Sequence, residues 1–167
     1  SVMNMPRKNH TSTLLPDGSV LIVGGITRTD DVDTSGPTQL LDQAERYFVG
    51  GIKKWTLAGE MLNTRTGHTA SLLSDGIVLI AGGGSVAEEN GEKELKHLKS
   101  TETYDYRANT WIKSQSMNIS RWEHTATVLP SGDVLVVGGE NSDCKLSSTE
   151  LFKVATKQWV VLDDLSY

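Results

Sequence analysis

The chain has 167 residues and a mass of 18.2 kDa, which is room for one ordinary domain with a sizeable core. Its 16 Lys and Arg residues against 21 Asp and Glu residues give a net charge of −5, which argues against a general binder of nucleic acid or anionic membranes. No apolar run approaches the roughly 20 residues of a membrane helix, and the first four residues do not resemble a signal peptide. The single cysteine excludes an internal disulfide.

The sequence contains three copies of one pattern. Each copy has a segment that runs from a His-Thr pair to a Gly-Gly pair, and the histidine precedes the first glycine by 14 residues each time. These segments are 10–25, 68–83 and 124–139. An arginine precedes each histidine by three residues, and a glutamate and then a tryptophan follow each segment. The arginines are Arg7, Arg65 and Arg121, and the histidines are His10, His68 and His124. The glutamates are Glu45, Glu102 and Glu150, and the tryptophans are Trp55, Trp111 and Trp159. So many matching offsets indicate a true internal repeat.

Each copy is predicted to form four short strands. The His-Thr segment has strand propensity, and a Pro-Asp-Gly, Ser-Asp-Gly or Pro-Ser-Gly sequence then predicts a tight hairpin turn. The second strand, for example 20–23, is apolar on both alternating faces and must be covered on both sides. Glu-x-Tyr or Glu-x-Phe marks a third strand and the tryptophan a fourth. Variable polar loops are predicted at 26–43, 84–99 and 140–147.

Sheets that are apolar on both faces need a neighbour on each face, which a ring of repeated sheets supplies. The His-Thr-Ala-Thr-Leu-Leu-Pro-Asp-Gly pattern before a Val-Leu-Val-x-Gly-Gly strand resembles the kelch repeat over the whole chain, in three copies. The resemblance implies an all-β fold, a β-propeller of four-stranded antiparallel blades, with repeats at about 3–58, 59–114 and 115–164. The third copy departs from the pattern only in Phe152, in place of Tyr, and Leu165, in place of Met.

Three blades are too few for a kelch ring, which by resemblance holds about five to eight. Two apolar faces would be left exposed, and such faces signal an interface. We therefore expect half of a six-bladed ring, completed either by a second copy of the chain as a dimer or by the remaining blades of a longer chain. The whole number of repeats fits both alternatives, and the start at Ser1 favours excision or processing.

The arginines are the first candidates for ligand binding. Some kelch proteins use the arginine at this position to bind acidic peptides or carboxylates, and guanidinium groups suit bidentate carboxylate capture, so the resemblance makes Arg7, Arg65 and Arg121 candidate ligand residues. The alternative is an arginine that bonds backbone carbonyls of the neighbouring blade. Recurrence in every copy favours this structural alternative, because ligand sites are usually asymmetric.

The same symmetry argument applies to the other repeated polar residues. The histidines could bind a metal and the glutamates could act in acid–base chemistry. Equivalent placement in every blade instead predicts histidines that bond the adjacent blade's backbone or threonine hydroxyls. It also predicts glutamates that accept from turn N–H groups and tryptophans that pack between blades. No catalytic residue, metal site or cofactor is predicted.

Departures from symmetry are better pointers to function. Trp122 and Glu123 stand where the other copies carry Lys8-Asn9 and Thr66-Gly67, and an aromatic ring beside a carboxylate near the channel mouth predicts a ligand platform. Asp30, Asp31 and Asp33 form only a weak pattern for calcium binding. The mixed charges of 88–99 predict a mobile solvated loop or a partner-contacting lobe. Cys144 is expected to be a free surface thiol.

We therefore expect a non-catalytic binding or scaffold module that recognises a protein, peptide or glycan through its loops, with no nucleic acid and no membrane span. The alternative from the resemblance is part of an enzyme, either a galactose-oxidase-like copper oxidase or a sialic acid mutarotase. The oxidase needs a Cys–Tyr crosslink and a His–Tyr copper site, which the one loop cysteine and His97 do not supply, whereas Arg121 and Glu123 could serve a mutarotase. The Pro-Asp-Gly form of the repeat resembles bacterial members and points to an exported or cell-surface protein.

Overall fold

A computed structural model describes residues 2–28, 38–50, 54–89 and 92–162. Its regular elements in these ranges are all strands, and they form three four-stranded sheets and two two-stranded hairpins. The first sheet comprises β1 (Thr11–Leu14), β2 (Val20–Val23), β5 (Gln43–Tyr47) and β6 (Trp55–Glu60). The second sheet comprises β7 (Thr69–Leu72), β8 (Ile77–Ala81), β11 (Thr101–Asp105) and β12 (Thr110–Ser114). The third sheet comprises β13 (Thr125–Val128), β14 (Val134–Val137), β15 (Thr149–Lys153) and β16 (Gln158–Val161). Each sheet corresponds to one copy of the repeat.

Every sheet is antiparallel with its strands in chain order, so the connections alternate between two ends of the blade. The tight turns after the first strands lie at one end, which we call the turn end. In the first turn the Asp17 carboxylate accepts from the Ser19 N–H at 3.0 Å, and Gly18 takes a φ of +78° that a side chain would disfavour. The Gly-Gly pairs and the linkers between blades lie at the opposite end, which we call the linker end.

The core lies between the blades. Leu21 and Val23 of the first blade pack in one cluster with Val78 and Ile80 of the second. The opposite face of the second blade, with Leu79, packs against the third blade in a second cluster. Since β8 thus has covered faces on both sides, its five residues are almost entirely buried, as the apolar sequence predicts.

The first strands of successive blades contact one another, β1 with β7 and β7 with β13. Repeated sheets that stack face to face, with their first strands side by side, are blades arranged around an axis next to those strands. The all-β fold and the propeller blades expected from the sequence are confirmed.

The prediction of loops was wrong for two of the three variable segments. The segment predicted as loop 84–99 contains a hairpin of β9 (Gly84–Glu89) and β10 (Glu92–His97), and the segment 26–43 contains β3 (Ile26–Arg28) paired with β4 (Thr38–Leu40). The register of the longer hairpin places Val86 opposite Leu95. Such an apolar cross-strand pair stabilises a hairpin, although the charge-rich sequence indicates a loop when each strand is considered alone.

Candidate functional site

The conserved arginine of each copy is buried at the linker end and bonded within its own blade. The Arg65 side chain has no exposed surface, and its guanidinium donates to the carbonyls of Gly82 at 2.7 Å and Ser100 at 3.0 Å. Its Nη2 donates to Oε1 of Glu102 at 2.8 Å. Burial lowers the pKa of Arg65, and the hydrogen bond and charge of Glu102 oppose that shift. One arginine therefore joins the end of β8 to the start of β11 at this end of the blade.

Arg7 and Arg121 repeat the arrangement. Arg7 donates to the carbonyls of Gly24 and Gln43 and to Glu45 at 2.8 Å, and Arg121 donates to the equivalent carbonyls of the third blade and to Glu150 at 3.3 Å. The carbonyls belong to the blade that follows the arginine in sequence, whereas the sequence analysis placed them in the neighbouring blade. This geometry favours the structural alternative for the three arginines, and their ligand-binding role stays a prediction.

The paired glutamates also hold the linker between blades. Glu45 accepts from the backbone N–H groups of Asn4 at 2.8 Å and Met5 at 3.1 Å, and Glu150 accepts from those of Asn118 and Ile119. Burial raises the pKa of Glu45, but the hydrogen bonds from Asn4 and Arg7 outweigh it and leave the pKa below its usual value. The predicted bonds to N–H groups are confirmed, and at Glu45 they favour the charged carboxylate.

The histidines connect neighbouring blades. Nε2 of His68 is hydrogen-bonded to the Thr11 hydroxyl of the preceding blade at 2.9 Å, and Nε2 of His124 to the Thr69 hydroxyl at 2.9 Å. Burial lowers the pKa of His68 to about 3 and that of His124 to about 4, with help from the adjacent arginines. Both rings are therefore neutral at physiological pH. The predicted structural role is confirmed for His68 and His124, whereas His10 is exposed and its role stays a prediction.

The tryptophans pack between blades in the same way. Nε1 of Trp111 donates to the Ala58 carbonyl of the first blade at 2.7 Å, and Nε1 of Trp159 donates to the Gln115 carbonyl at 2.9 Å. Trp111 also lies against Gly59, where an added Cβ would come within 3.2 Å of the indole. The predicted packing between blades is confirmed for Trp111 and Trp159, and for Trp55 it stays a prediction.

Trp122 forms an asymmetric cluster at the linker end with Gly67, His97 and Ser142, which we call the Trp122 cluster. The indole covers Gly67 so closely that a Cβ there would fall 1.7 Å from Nε1. The His97 ring of the β9–β10 hairpin lies 5.4 Å from the indole centroid, and Nδ1 of His97 is 3.1 Å from the Ser142 hydroxyl. Trp122 therefore fastens the root of the hairpin to the third blade. Its indole is half-buried, and its role as a ligand platform stays a prediction.

Glu123 is exposed beside this cluster with an unusual backbone. Its φ is +54°, and the equivalent residues Asn9 and Gly67 have φ of +54° and +62°. Asparagine and glycine tolerate the left-handed region, whereas a glutamate there is disfavoured. The Glu123 N–H donates to the Gly67 carbonyl at 2.9 Å, which fixes the strained residue and leaves its carboxylate in solvent.

The remaining candidate features are the acidic calcium pattern and the single cysteine. Asp30, Asp31 and Asp33 lie outside the described residues, and Cys144 is an exposed free thiol. Among the described residues, no three His, Cys, Asp or Glu side chains come together closely enough to hold a metal ion. In those same ranges no helix has the length and apolar character needed to cross a bilayer.

Sequence reasoning missed Arg46, which bridges two blades. Its guanidinium donates to the Tyr106 carbonyl of the second blade at 3.0 Å, pairs with Asp17, and lies 4.9 Å from the Phe48 ring centroid. The equivalent positions carry Thr103 and Leu151, so no repeat pattern could reveal it. The part played by His97 was missed as well, and its standing as the one histidine outside the repeats was the available signal.

The geometry defines the class of protein as a β-propeller built from repeated four-stranded blades. The chain belongs to the kelch-repeat family. It is 30% identical to mouse (Mus musculus) Kelch-like protein 36 over 167 residues, or 99% of this chain and 25% of that protein, and 26% identical to Kelch-like protein 25 of Xenopus tropicalis over 98% of this chain and 26% of that protein. The chain thus spans about a quarter of the length of these curated relatives.

Solved structures support the fold. The structure of YjhT matches 98% of this chain and 53% of its own chain with a TM-score of 0.72 and 16% sequence identity. A likeness at this identity concerns the fold alone. A scan against protein-family models finds no match.

Proposed function

We propose that the chain is a non-catalytic kelch-repeat binding module that recognises a protein or peptide at its linker end. The observation that carries the proposal is the use of the repeated polar groups inside the fold. The buried Arg121 donates to two carbonyls and to Glu150, so the guanidinium that a mutarotase alternative would need is already engaged. The polar residues that recur in all copies thus support the fold, and recognition is left to the surface that varies.

The variable surface is concentrated at the linker end. The β3–β4 hairpin, the β9–β10 hairpin and the 140–147 connection differ in length and sequence, and all three follow the Gly-Gly pairs. Val86 and Leu95 are each 38% exposed and lie opposite each other on the longer hairpin. An exposed apolar pair on a ribbon with charged neighbours has the composition of a protein-contact surface.

Glu123 is the proposed charged contact of this surface. Its carboxylate is exposed next to the hairpin root. The equivalent positions carry Asn9 and Gly67, which adopt the same positive φ with less strain, so the fold itself does not require a glutamate here. Strained residues that persist on a surface are associated with function. We propose that Glu123 contacts a basic group of the partner, while Trp122 positions the hairpin beside it.

A peptide-display selection tests the module. A library of random peptides is panned on the immobilised chain, and the enriched peptides are measured against purified variants by fluorescence polarisation. We expect the double variant Val86→Ser/Leu95→Ser to weaken binding at least about tenfold, since it removes the apolar anchors. Glu123→Gln is expected to weaken the binding of basic peptides about threefold to tenfold.

The control is Leu14→Ser at the turn end, where the side chain is 65% exposed. It should leave the peptide affinity unchanged. A selection that enriches no peptide, or peptides that bind the hairpin variant and the wild type equally, contradicts the proposal. A glycan array probed in parallel tests the alternative of a glycan ligand. Binding to the glycan array without binding to any peptide also contradicts the proposal of a protein or peptide partner.

We also propose that three more blades complete a six-bladed ring, supplied by a second copy or by the remaining blades of a longer chain. The chain matches 53% of the YjhT structure, which leaves room for a segment of about the same size. The outer faces of the first and third blades support this proposal. Unlike the faces of β8, each has apolar side chains that are half-buried or exposed, namely Val20, Tyr47 and Trp55 on the first blade and Leu135, Val137 and Val160 on the third.

A further inference from the structure

A cleft lies between the outer strands of the second and third blades at the turn end. Its volume is about 650 Å³, and the residues that line it include Ile77, Thr103 and Ile112 of the second blade and Lys157 of the third. Thr103 is opposite Leu79 in the sheet, and Leu79 packs against the third blade, so Thr103 lies on the face that borders the cleft. Both walls are blades of this chain, so the cleft is present whatever completes the ring.

The corresponding space between the first and second blades is filled by Arg46, which is only 9% exposed. Its guanidinium pairs with Asp17, donates to the Ser19 hydroxyl at 2.9 Å and crosses to the Tyr106 carbonyl of the second blade at 3.0 Å. The Phe48 ring centroid lies 4.9 Å from the guanidinium carbon. The fold thus places a guanidinium between these two blades and surrounds it with a carboxylate, a hydroxyl, a carbonyl and an aromatic ring.

The same position of the second blade carries Thr103, which does not fill the space. Thr103 is half-buried, and its hydroxyl donates to the Ile112 carbonyl of its own blade at 3.4 Å. Val154 of the third blade takes the position of Tyr106 and offers no aromatic ring. The volume that Arg46 occupies in the first interface is therefore open in the second.

Two carboxylates line the open cleft. Asp75 is the equivalent of Asp17, the ion-pair partner of Arg46, and it lies at the same turn of its blade. Asp105 stands where the first blade has Phe48. The second interface thus keeps the carboxylate of the first and has a second carboxylate in place of the aromatic ring. A cation that enters the cleft meets two acidic groups where Arg46 meets one.

Two lysines of the chain also face this cleft. Nζ of Lys157 donates to Oδ2 of Asp75 at 3.3 Å, and about half of each side chain is exposed. Lys113 of the outermost strand lines the cleft as well and is exposed. An exposed pair of lysine and carboxylate is weak, whereas a guanidinium forms two parallel hydrogen bonds with one carboxylate. An incoming arginine can therefore replace Lys157 at Asp75.

We propose that the cleft binds an arginine side chain of a partner peptide, whose guanidinium takes the position that Arg46 holds in the first interface. Ile77 and Ile112 flank the cleft, and Ile112 is 60% exposed. They suit the methylene stem of an arginine, which packs on apolar surface while the charged head contacts polar groups. This site lies at the turn end and is separate from the recognition surface proposed at the linker end.

A nuclear magnetic resonance titration with the tripeptide acetyl-Gly-Arg-Gly-amide tests the proposal. We expect saturable shifts of the backbone amides of Ile77, Thr103 and Ile112. The matched peptide with citrulline in place of arginine keeps the shape but lacks the charge, so it is expected to bind at least about tenfold more weakly. Methylguanidine represents a free guanidinium compound, and it is expected to bind at least about threefold more weakly than the tripeptide because it lacks the methylene stem.

Variants assign the binding to this cleft. Thr103→Arg supplies the side chain that fills the first interface and is expected to abolish binding. Asp75→Asn is expected to weaken binding about fivefold or more, since it removes the carboxylate that accepts from the guanidinium. Lys157→Asn introduces the residue of the equivalent Asn109, whose φ of +53° matches the +57° of Lys157, and should strengthen binding about threefold because the competing amine is gone. Glu123→Gln at the linker end is the control and should leave the shifts unchanged.

Three results would each overturn the proposal. They are the absence of saturable shifts at about 10 mM tripeptide, equal binding of the citrulline peptide, and unchanged binding by a folded Thr103→Arg variant. Should Thr103→Arg fail to fold, unchanged affinity in both Asp75→Asn and Lys157→Asn overturns it equally. Methylguanidine that binds as tightly as the tripeptide overturns the peptide as the source of the guanidinium. These outcomes leave the linker-end surface untouched, since Glu123 takes no part in the cleft.

Discussion

Each blade contains an arginine and a glutamate that are buried together at the linker end. Removing a guanidinium from water is costly, and the loss is offset only when several acceptors surround it. Arg65 meets this condition with two carbonyls, the Ser100 hydroxyl and Glu102. The same demand explains why the pair recurs, since a blade with only one of the two residues would bury an uncompensated charge.

Glu102→Gln is expected to lower the free energy of unfolding by about 3 kcal/mol, because it leaves the Arg65 charge buried without its counter-charge. The measurement is urea denaturation followed by circular dichroism. Lys157→Gln is the control, since its ion pair with Asp75 is about half exposed and should contribute less than about 1 kcal/mol. Equal effects of the two changes would contradict the buried-pair argument.

The two buried histidines should make the protein acid-sensitive. The pKa of His68 is about 3 and that of His124 about 4 in the folded state, against 6.5 when unfolded, so only the unfolded chain takes up protons between those values. The contribution of these two histidines to stability is therefore constant above about pH 6.5 and falls as the pH drops toward 4, by up to about 1.4 kcal/mol per pH unit for each histidine.

The check is the free energy of unfolding from pH 7.5 to 4.5 in the wild type and in His68→Gln/His124→Gln. The double variant should be less stable at pH 7.5 and should have a flatter pH dependence. A slope that is the same in both proteins would show that these histidines do not cause the acid sensitivity.

At the scale of elements, the hairpins and the blades follow different rules. A blade strand such as β8 is fixed by apolar faces on both sides, whereas the β9–β10 hairpin is held by its own pairing and by the Trp122 cluster at its root. The hairpin residues Val86 and Leu95 are exposed, and this low burial implies that the hairpin opens more easily than the blades.

Trp122→Ala is expected to speed hydrogen exchange of 84–97 about tenfold or more, because the change removes the ring that covers Gly67 and contacts His97. Hydrogen exchange measured by mass spectrometry gives the rate for each segment. Exchange of β8 should change little, since that strand lies in the core. A uniform increase over both segments would show that Trp122 supports the whole blade and not the hairpin.

At the scale of the whole molecule, the two proposed suppliers of the remaining blades predict different unfolding behaviour. Unfolding that is coupled to dissociation of a second copy depends on protein concentration, since dilution favours the dissociated and unfolded chains. With a second copy as the supplier, we expect the Tm to rise by several degrees over a hundredfold increase in concentration, and scanning calorimetry at three concentrations measures it. Leu135→Glu, which places a charge on the outer face of the third blade, should then have a constant Tm. A constant wild-type Tm contradicts a second copy and leaves the remaining blades of a longer chain as the supplier.

Much of the architecture could be predicted from the sequence. The spacing of His10, His68 and His124 revealed three repeats, and the turn and apolar patterns placed the strands, because each blade is specified locally by turn chemistry and strand propensity. The structural roles of the histidines, glutamates and tryptophans could also be predicted, since symmetry between copies separates scaffold from ligand contact.

Tertiary structure alone decided the rest. Cross-strand pairing converts 84–99 from an apparent loop into a hairpin, and its placement puts His97 against Trp122. Which carbonyls satisfy Arg65, and which blade receives Arg46, depends on contacts between residues distant in the sequence. The physical reason is the range of the interactions: turns and alternation act between near neighbours, whereas the burial of charge and the covering of faces are settled only when the blades meet.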